Sequence, residues 1–226
     1  MKSDKSNKLK SFLSELNQKN ISYVSWKNNH QLDSVFLGKE DIDLFVPLDD
    51  RSKFIDLCRI QEWIEVVNPV ARHSWIAHFY RLGENFEIFH MHVYFKLITG
   101  ETWIKEYSLP LDNWVLENRA WNSDHKIWVM NSLSQTYLFL IRHLLKCGSI
   151  SSRLMYKFNL WSYEEEWKAC SAGIRPNDIQ GPIDLTKYLN GARAFGEKLE
   201  LPKISTAFLF RLSLFPFLRY NFFLLP

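Results

Sequence analysis

Apolar and polar residues follow strand-like and helix-like patterns in the first part of the chain and an almost purely helical pattern afterwards. Strict alternation over a few residues predicts a strand, and apolar residues that recur every three or four positions predict a helix. Strands are predicted at 21–26, 41–45, 63–67, 75–82, 85–95 and 126–130. Helices are predicted at 4–19, 51–63, 111–118, 133–146, 152–171 and 183–199.

The order of these segments predicts an α+β fold. A mixed β-sheet with flanking helices is expected over residues 1–130, where strand and helix patterns are interspersed. Residues 131–204 are expected to be mostly helical, and residues 205–226 form an apolar tail. Segments 75–82 and 85–95 are joined by a short connector with Gly83 and Asn85, which is typical of a β-hairpin.

The strand at 41–45 carries the strongest candidate chemistry. Its alternation places Asp41 and Asp43 on one face, about 7 Å apart, with Ile42 and Leu44 on the core side. Two carboxylates this close repel each other, and a hard divalent cation offsets that repulsion. We therefore treat Asp41 and Asp43 as candidate ligands of Mg²⁺ or Mn²⁺. The alternative is a solvated strand end, which the pattern alone favours about equally.

The strand at 85–95 carries two histidines in the sequence His90-Met91-His92. Alternation places both imidazoles on one face and Glu87 on the other. An imidazole can bind a metal or act as a base near neutral pH. His90 and His92 are therefore candidate catalytic residues, with the alternative that they only satisfy buried hydrogen bonds.

A strand, a turn with Gly38, an Asp-hydrophobic-Asp-hydrophobic strand and a helix follow one another here, and this series resembles the core of the nucleotidyltransferase superfamily. Over about residues 20–150 the chain also resembles a nucleotidyltransferase-like family of bacterial surface-polysaccharide gene clusters, whose members are often joined to a thymidylate-kinase-like domain. The motifs behind this resemblance are Trp26-Lys27, Asp41-x-Asp43, His90-x-His92, His92-x-Tyr94, Thr99-Gly100-Glu101 and Leu109-Pro110.

The resemblance implies that Asp41 and Asp43 hold the metal ions that bind a nucleoside triphosphate. It further implies that His90 or His92 replaces the third carboxylate of the superfamily, as a ligand or a base. The residues expected near the nucleotide are Ser25, Lys27, Asn28, Gly38, Arg142 and Lys146.

The chain departs from the superfamily after its first strand. A Gly-Ser pair usually contacts the triphosphate there, whereas this chain has Ser25-Trp26-Lys27-Asn28. Lys27 either supplies positive charge to the phosphates or is a solvated surface residue. Arg142 and Lys146, four apart on one helix, either reach the phosphates or interact with the helix dipole.

The function implied by the resemblance is metal-dependent transfer of a nucleotidyl group from an NTP to an unknown acceptor, in capsule or lipopolysaccharide biosynthesis. A second hypothesis is a catalytically degenerate module of the same fold that binds nucleotide or scaffolds a partner enzyme. A third is a hydrolase whose metal is bound by four histidines, His73, His78, His90 and His92.

Composition limits which partners and which cellular compartment are expected. The net charge of +3, without a basic patch or a recognised motif, gives no reason to expect nucleic-acid binding. The three cysteines Cys58, Cys147 and Cys170 lack metal-binding spacing, which predicts a reducing cytoplasm. Residues 1–10 are polar, and we therefore expect no signal peptide.

The apolar tail at 205–226 contains Arg211, Pro216 and Arg219, which oppose a membrane-spanning helix. It is expected either to lie on the inner-membrane surface or to pack on a partner, such as a kinase-like protein or a missing C-terminal domain. The sequence contains no Gly-rich phosphate loop of a kinase half.

Overall fold

A computed structural model describes residues 8–67, 73–100, 105, 107–146, 164–175, 178–182 and 197–198, with side chains of the long helix up to residue 143. These residues form an α+β structure with a mixed β-sheet, which confirms the predicted class. Its six α-helices are α1 Lys8–Gln18, α2 Leu32–Phe36, α3 Arg51–Ile60, α4 Asp112–Glu117, α5 Ser132–Lys146 and α6 Glu164–Ser171. Its ten strands are β1 Val24–Ser25, β2 Ile42–Phe45, β3 Ile64–Glu65, β4 Ile76–Leu82, β5 Ile88–Tyr94, β6 Ile98–Thr99, β7 Tyr107–Ser108, β8 Arg119–Asn122, β9 Ile127–Met130 and β10 Glu197–Lys198.

Strand β2 lies in the middle of a seven-stranded sheet with the order β3-β4-β5-β2-β1-β9-β8. It pairs parallel to β5 on one side and antiparallel to β1 on the other. Strands β4 and β5 form the predicted hairpin. Because β2 is central, polar residues at its start lie beside residues from both β5 and the end of β1.

One face of the sheet is covered by helices α1 and α3. Helix α1 buries its apolar positions, spaced three or four apart as predicted, against the sheet and α3. Phe12 of α1 meets Phe54 of α3 edge to face, with ring centroids 5.4 Å apart. Ile42 and Leu44 of β2 belong to this core, so the predicted inward face of β2 is correct.

The opposite face of the sheet forms a second core with α4 and α5. Val24, Trp26 and Phe45 of the sheet pack there with Tyr137 and Ile141 of α5. This cluster contains residues from both sides of the predicted boundary at residue 130. Helix α5 thus helps to enclose the sheet face that bears Asp43.

The C-terminal predictions are tested only where the structure describes residues. Glu197–Lys198 is strand β10, paired antiparallel with β7, so the predicted helix at 183–199 is wrong at this end. Its amphipathic pattern could not reveal a distant partner strand. Residues 152–163 and 183–196 of the predicted helices, Cys147 and the tail at 205–226 lie outside the described residues. Among the helices that the structure describes, none combines the length and apolar character needed to cross a bilayer.

Candidate metal centre

The strand register brings the predicted acidic and histidine residues together. In the parallel pairing of β2 with β5, Asp43 lies directly opposite His92. On the other side of β2, the Trp26 N–H donates to the Asp43 carbonyl at 3.1 Å. Asp41 precedes β2 by one residue, so its side chain lies on the same face as Asp43.

Asp41, Asp43 and His92 form a cluster whose potential ligand atoms all lie within 4.8 Å of one another. His92 Nδ1 is 3.1 Å from Asp43 Oδ1 and 3.7 Å from Asp41 Oδ2. His90 Nδ1 is 4.0 Å from Asp41 Oδ2. The Asp43 side chain is only 1% exposed, whereas that of Asp41 is 34% exposed. The cluster is therefore open to solvent on the Asp41 side.

The chemistry of this cluster fits one divalent metal ion. In a six-coordinate site with ligand distances of about 2.1 Å, neighbouring ligand atoms lie about 3 Å apart, close to the separation of His92 Nδ1 and Asp43 Oδ1. Asp43 Oδ1 is buried and makes no hydrogen bond of regular geometry. One side of this oxygen lies against the Lys27 ammonium, and the side that faces His92 is available to a cation. Two carboxylates and an imidazole suit Mg²⁺ less well than Mn²⁺, which accepts nitrogen ligands more readily.

Lys27 and Asn28 complete the surroundings of Asp43. Lys27 Nζ is 2.7 Å from Asp43 Oδ1, and Asn28 Nδ2 donates to Oδ2 at 2.9 Å. The ammonium also lies 5.5 Å from the Trp26 ring centroid and 5.2 Å from that of Tyr94. The Lys27 side chain is 13% exposed, so the alternative of a solvated surface lysine is wrong.

The charges of this pair are strongly coupled. Burial alone would raise the pKa of Asp43 and lower that of Lys27. Their mutual attraction outweighs burial, and with His92 it holds the pKa of Asp43 well below its usual range and raises that of Lys27. Burial also raises the pKa of the nearby Tyr94 hydroxyl to about 12. At neutral pH the site therefore contains a carboxylate, an ammonium and a neutral phenol.

Ser25 makes hydrogen bonds to other groups of the protein. Its Oγ donates to Asn29 Oδ1 at 2.6 Å, and Asn29 Nδ2 donates to the Ser25 carbonyl at 3.0 Å and to Gln135 Oε1 at 3.2 Å. This network fixes the loop after β1 to helix α5. Sequence reasoning missed Asn29 and Gln135, because nothing local marks a hydrogen bond that spans 106 positions.

Arg142 lies close to the cluster but is held by a partner that the sequence did not reveal. Its guanidinium is 5.4 Å from the Trp26 ring centroid, and its Nη1 is 2.7 Å from Glu166 Oε1. Both charged side chains are buried. Its partner is thus a carboxylate on α6, and contact with a phosphate stays a prediction. The side chain of Lys146 lies outside the described residues.

Gly38 lies at the end of helix α2, next to the β4–β5 hairpin. Its φ of +68° is left-handed, and a Cβ there would lie 2.9 Å from Glu87 Cβ. Its N–H donates to the Val35 carbonyl at 3.0 Å. The glycine therefore has a packing role, and the predicted nucleotide contact remains untested.

A row of stacked rings borders the cluster along β4 and β5. His78 Nδ1 is 3.0 Å from His90 Nε2, and the ring of Tyr80 stacks on His90 with centroids 4.2 Å apart. The ring of His78 also stacks on His92 at 4.4 Å. Burial, helped by the neighbouring imidazoles, lowers the pKa of His78 to about 4, and burial lowers the pKa of His90.

The described residues do not form the predicted four-histidine site. Their potential metal-binding group consists of Asp41, Asp43 and His92, without His73. His78 contacts His90 through a ring nitrogen and orients it. His78 lies near the site because its strand, β4, pairs with β5.

Comparison with known proteins does not name a family for this chain. The sequence matches no protein-family model and no curated protein. The features of the chain that bear on its function are therefore the geometry around Asp43 and the motif resemblance described above.

Proposed function

We propose that this protein is a metal-dependent nucleotidyltransferase-like enzyme that transfers a nucleotidyl group from an NTP to an acceptor hydroxyl. The observation that supports it best is the convergence of Asp41, Asp43 and His92 beside a buried lysine at the centre of a mixed sheet. Carboxylates at the start of a central strand match the motif resemblance. Surface-polysaccharide assembly in the cytoplasm is the expected setting.

In the proposed reaction, the acceptor oxygen forms a bond to the α-phosphorus, and the bond from that phosphorus to the bridging oxygen breaks to release pyrophosphate. Asp41, Asp43 and His92 would hold Mg²⁺ or Mn²⁺, which neutralises phosphate charge and orients the attacking oxygen when bound. Lys27 adds a fixed positive charge for the phosphates. His90, whose Nδ1 lies 4.0 Å from Asp41 Oδ2 at the open side of the cluster, would take the acceptor proton.

A second candidate is a module that binds nucleotide without transferring it. Lys27 and Asn28 occupy positions where the superfamily has a Gly-Ser pair, and both contact Asp43. An aspartate so fully engaged by protein groups has less capacity for the metal chemistry of transfer. This observation favours a module that binds nucleotide over one that transfers it.

Calorimetric titration of each of the four NTPs in the presence of Mn²⁺ or Mg²⁺ tests nucleotide binding. We expect metal-dependent binding of at least one NTP to the wild type and a loss of at least tenfold in affinity for Asp41→Asn. Asp49→Asn is the matched control, because Asp49 is exposed and lies outside the cluster. Equal binding by Asp41→Asn and wild type would remove the cluster from the nucleotide site.

An NTP labelled at the α-phosphate distinguishes nucleotidyl transfer from nucleotide binding alone. The enzyme is expected to move the label to an acceptor in a cell extract and to release pyrophosphate, and Asp41→Asn is expected to do neither. Metal-dependent nucleotide binding without label transfer would support the module instead.

A further inference from the structure

The groups around Asp43 already include a fixed positive charge. We propose that the site binds a single divalent cation and that the Lys27 ammonium occupies the place where a second cation would contact Asp43. This inference rests on the metal site of the proposed function and concerns how that site meets a polyphosphate.

Contacts to Asp43 leave one side of its carboxylate open to a metal ion. Asn28 Nδ2 donates to Oδ2 at 2.9 Å, and Lys27 Nζ lies 2.7 Å from Oδ1. On its other side, Oδ1 faces His92 Nδ1 at 3.1 Å. The open position therefore lies between Oδ1, His92 and Asp41, while the side toward Lys27 is filled.

The charge balance favours the same conclusion. Asp41 and Asp43 supply two negative charges, Lys27 supplies one positive charge, and the Arg142–Glu166 pair cancels. One divalent cation would change the net charge of the cluster from −1 to +1. A second would raise it to +3 in a partly buried site, where repulsion between like charges is weakly screened.

Lys27 is held in this position rather than free to leave it. Its side chain is 13% exposed, and its ammonium contacts the faces of Trp26 and Tyr94. Both rings belong to the core that packs under helix α5. Cation–π contacts add to the ion pair, especially where water is excluded. The ammonium is therefore a built-in part of the site.

The functional consequence concerns the substrate. A site with one divalent cation and one ammonium has a net positive charge and presents two different cationic groups. Such a pair suits an anion with several charged oxygens, such as the triphosphate of an NTP. Lys27 is thus assigned as a phosphate-binding residue whose charge replaces that of a second metal ion.

Binding of Mn²⁺ alone, measured by calorimetry and by the electron paramagnetic resonance signal of free Mn²⁺, tests this inference. We expect one ion per wild-type chain. Lys27→Met removes the neighbouring charge and keeps an unbranched stem, and it is expected to bind Mn²⁺ at least tenfold more tightly. Lys27→Arg keeps the charge and is expected to bind one ion with an affinity like that of the wild type. The matched control is Lys53→Met, which removes an exposed lysine paired with Asp50 and is expected to change nothing.

Anomalous scattering from wild-type crystals soaked in Mn²⁺ gives a test that does not depend on a variant folding. One peak beside Asp41, Asp43 and His92, with Lys27 still in contact with Asp43, supports the inference. Two peaks, or a Lys27→Met variant that folds and binds Mn²⁺ no more tightly than Lys53→Met, would overturn it and leave nucleotidyl transfer standing. No bound ion would overturn both. One ion without any nucleotidyl transfer would overturn only the proposed function.

Discussion

Arg142 of α5 and Glu166 of α6 form a bidentate ion pair in the protein interior. Nη1 lies 2.7 Å from Oε1, and Nη2 lies 3.3 Å from Oε2. Burial disfavours both charges, yet their attraction lowers the pKa of Glu166 and raises that of Arg142. Because Arg142 also lies over Trp26, the pair connects α6 to the wall of the candidate site.

Replacing Glu166 with alanine is expected to lower the free energy of unfolding by about 3–5 kcal/mol, because the buried Arg142 guanidinium loses the carboxylate paired with it. The double variant Arg142→Met/Glu166→Met is expected to lose less, since no unpaired charge remains. Urea unfolding followed by circular dichroism measures both.

The control for this ion pair lies on the same helix. Glu164 and Lys168 form an exposed pair, with side chains 68% and 71% exposed. Lys168→Ala is expected to leave the urea midpoint nearly unchanged. A Glu166→Ala variant as stable as Lys168→Ala would show that the buried pair is dispensable.

Gly38→Ala is expected to destabilise the protein more than Gly173→Ala. Both glycines have left-handed φ angles, +68° and +72°, so alanine is strained at each by about 1–2 kcal/mol. Only at Gly38 does a Cβ meet a neighbour, Glu87 Cβ at 2.9 Å, whereas nothing lies within 4 Å at Gly173. Thermal unfolding of the two variants measures the added cost of the hairpin contact. Equal losses would mean that the hairpin moves aside freely.

Asp50→Asn is expected to lower the free energy of unfolding by about 1–2 kcal/mol at neutral pH. It is also expected to make that free energy fall less steeply as the pH is lowered. Asp50 accepts hydrogen bonds from the Ser22 N–H at 2.9 Å and from Lys53 Nζ at 2.8 Å. Burial raises the pKa of Asp50, but these bonds outweigh burial and lower it. The stabilisation is therefore present above the unfolded-state pKa of about 3.9 and is lost as the pH falls through the lower folded-state pKa.

Unfolding free energies measured by urea between neutral pH and pH 2 check this prediction for Asp50. Asp49→Asn is the control, since Asp49 is exposed one residue earlier. A wild-type and an Asp50→Asn curve with the same slope below pH 4 would contradict the assignment.

Mn²⁺ is expected to stabilise the folded wild type and not Asp41→Asn. An ion that binds only the folded state adds about 2.7 kcal/mol at one hundred times its Kd. For a chain of this length, that corresponds to a rise of roughly 5–10 °C in Tm. Scanning calorimetry with Mn²⁺, and again after addition of EDTA, measures the effect. A rise of equal size in Asp41→Asn would place the ion elsewhere.

Local pattern was enough to predict several parts of this protein. The apolar spacing of Leu9, Phe12, Leu13 and Leu16 predicted helix α1 and its buried face, because that spacing follows from the helix period. Alternation likewise predicted that Asp41, just before β2, and Asp43 within it lie on one face of the sheet. Hairpin β4–β5 followed from a short connector between two alternating segments.

The pairings that build the candidate site could not be derived in the same way. Sequence reasoning left the role of Lys27 open and did not find Glu166, because each partner comes from a different element. It assigned a helix to Glu197–Lys198, which the structure pairs with β7. Segment 32–36 carried no predicted helix, yet it forms α2, whose end places Gly38 against the hairpin.

The sequence by itself determined the α+β class, the main helices and strands, and which residues of β2 and β5 share a face. These features depend on the periods of the backbone, which act over a few residues. Only the tertiary structure decided that Asp43 lies opposite His92 and beside Lys27, and that Arg142 pairs with Glu166. Strand register and contacts between distant elements depend on how all faces pack together, and no local period encodes them.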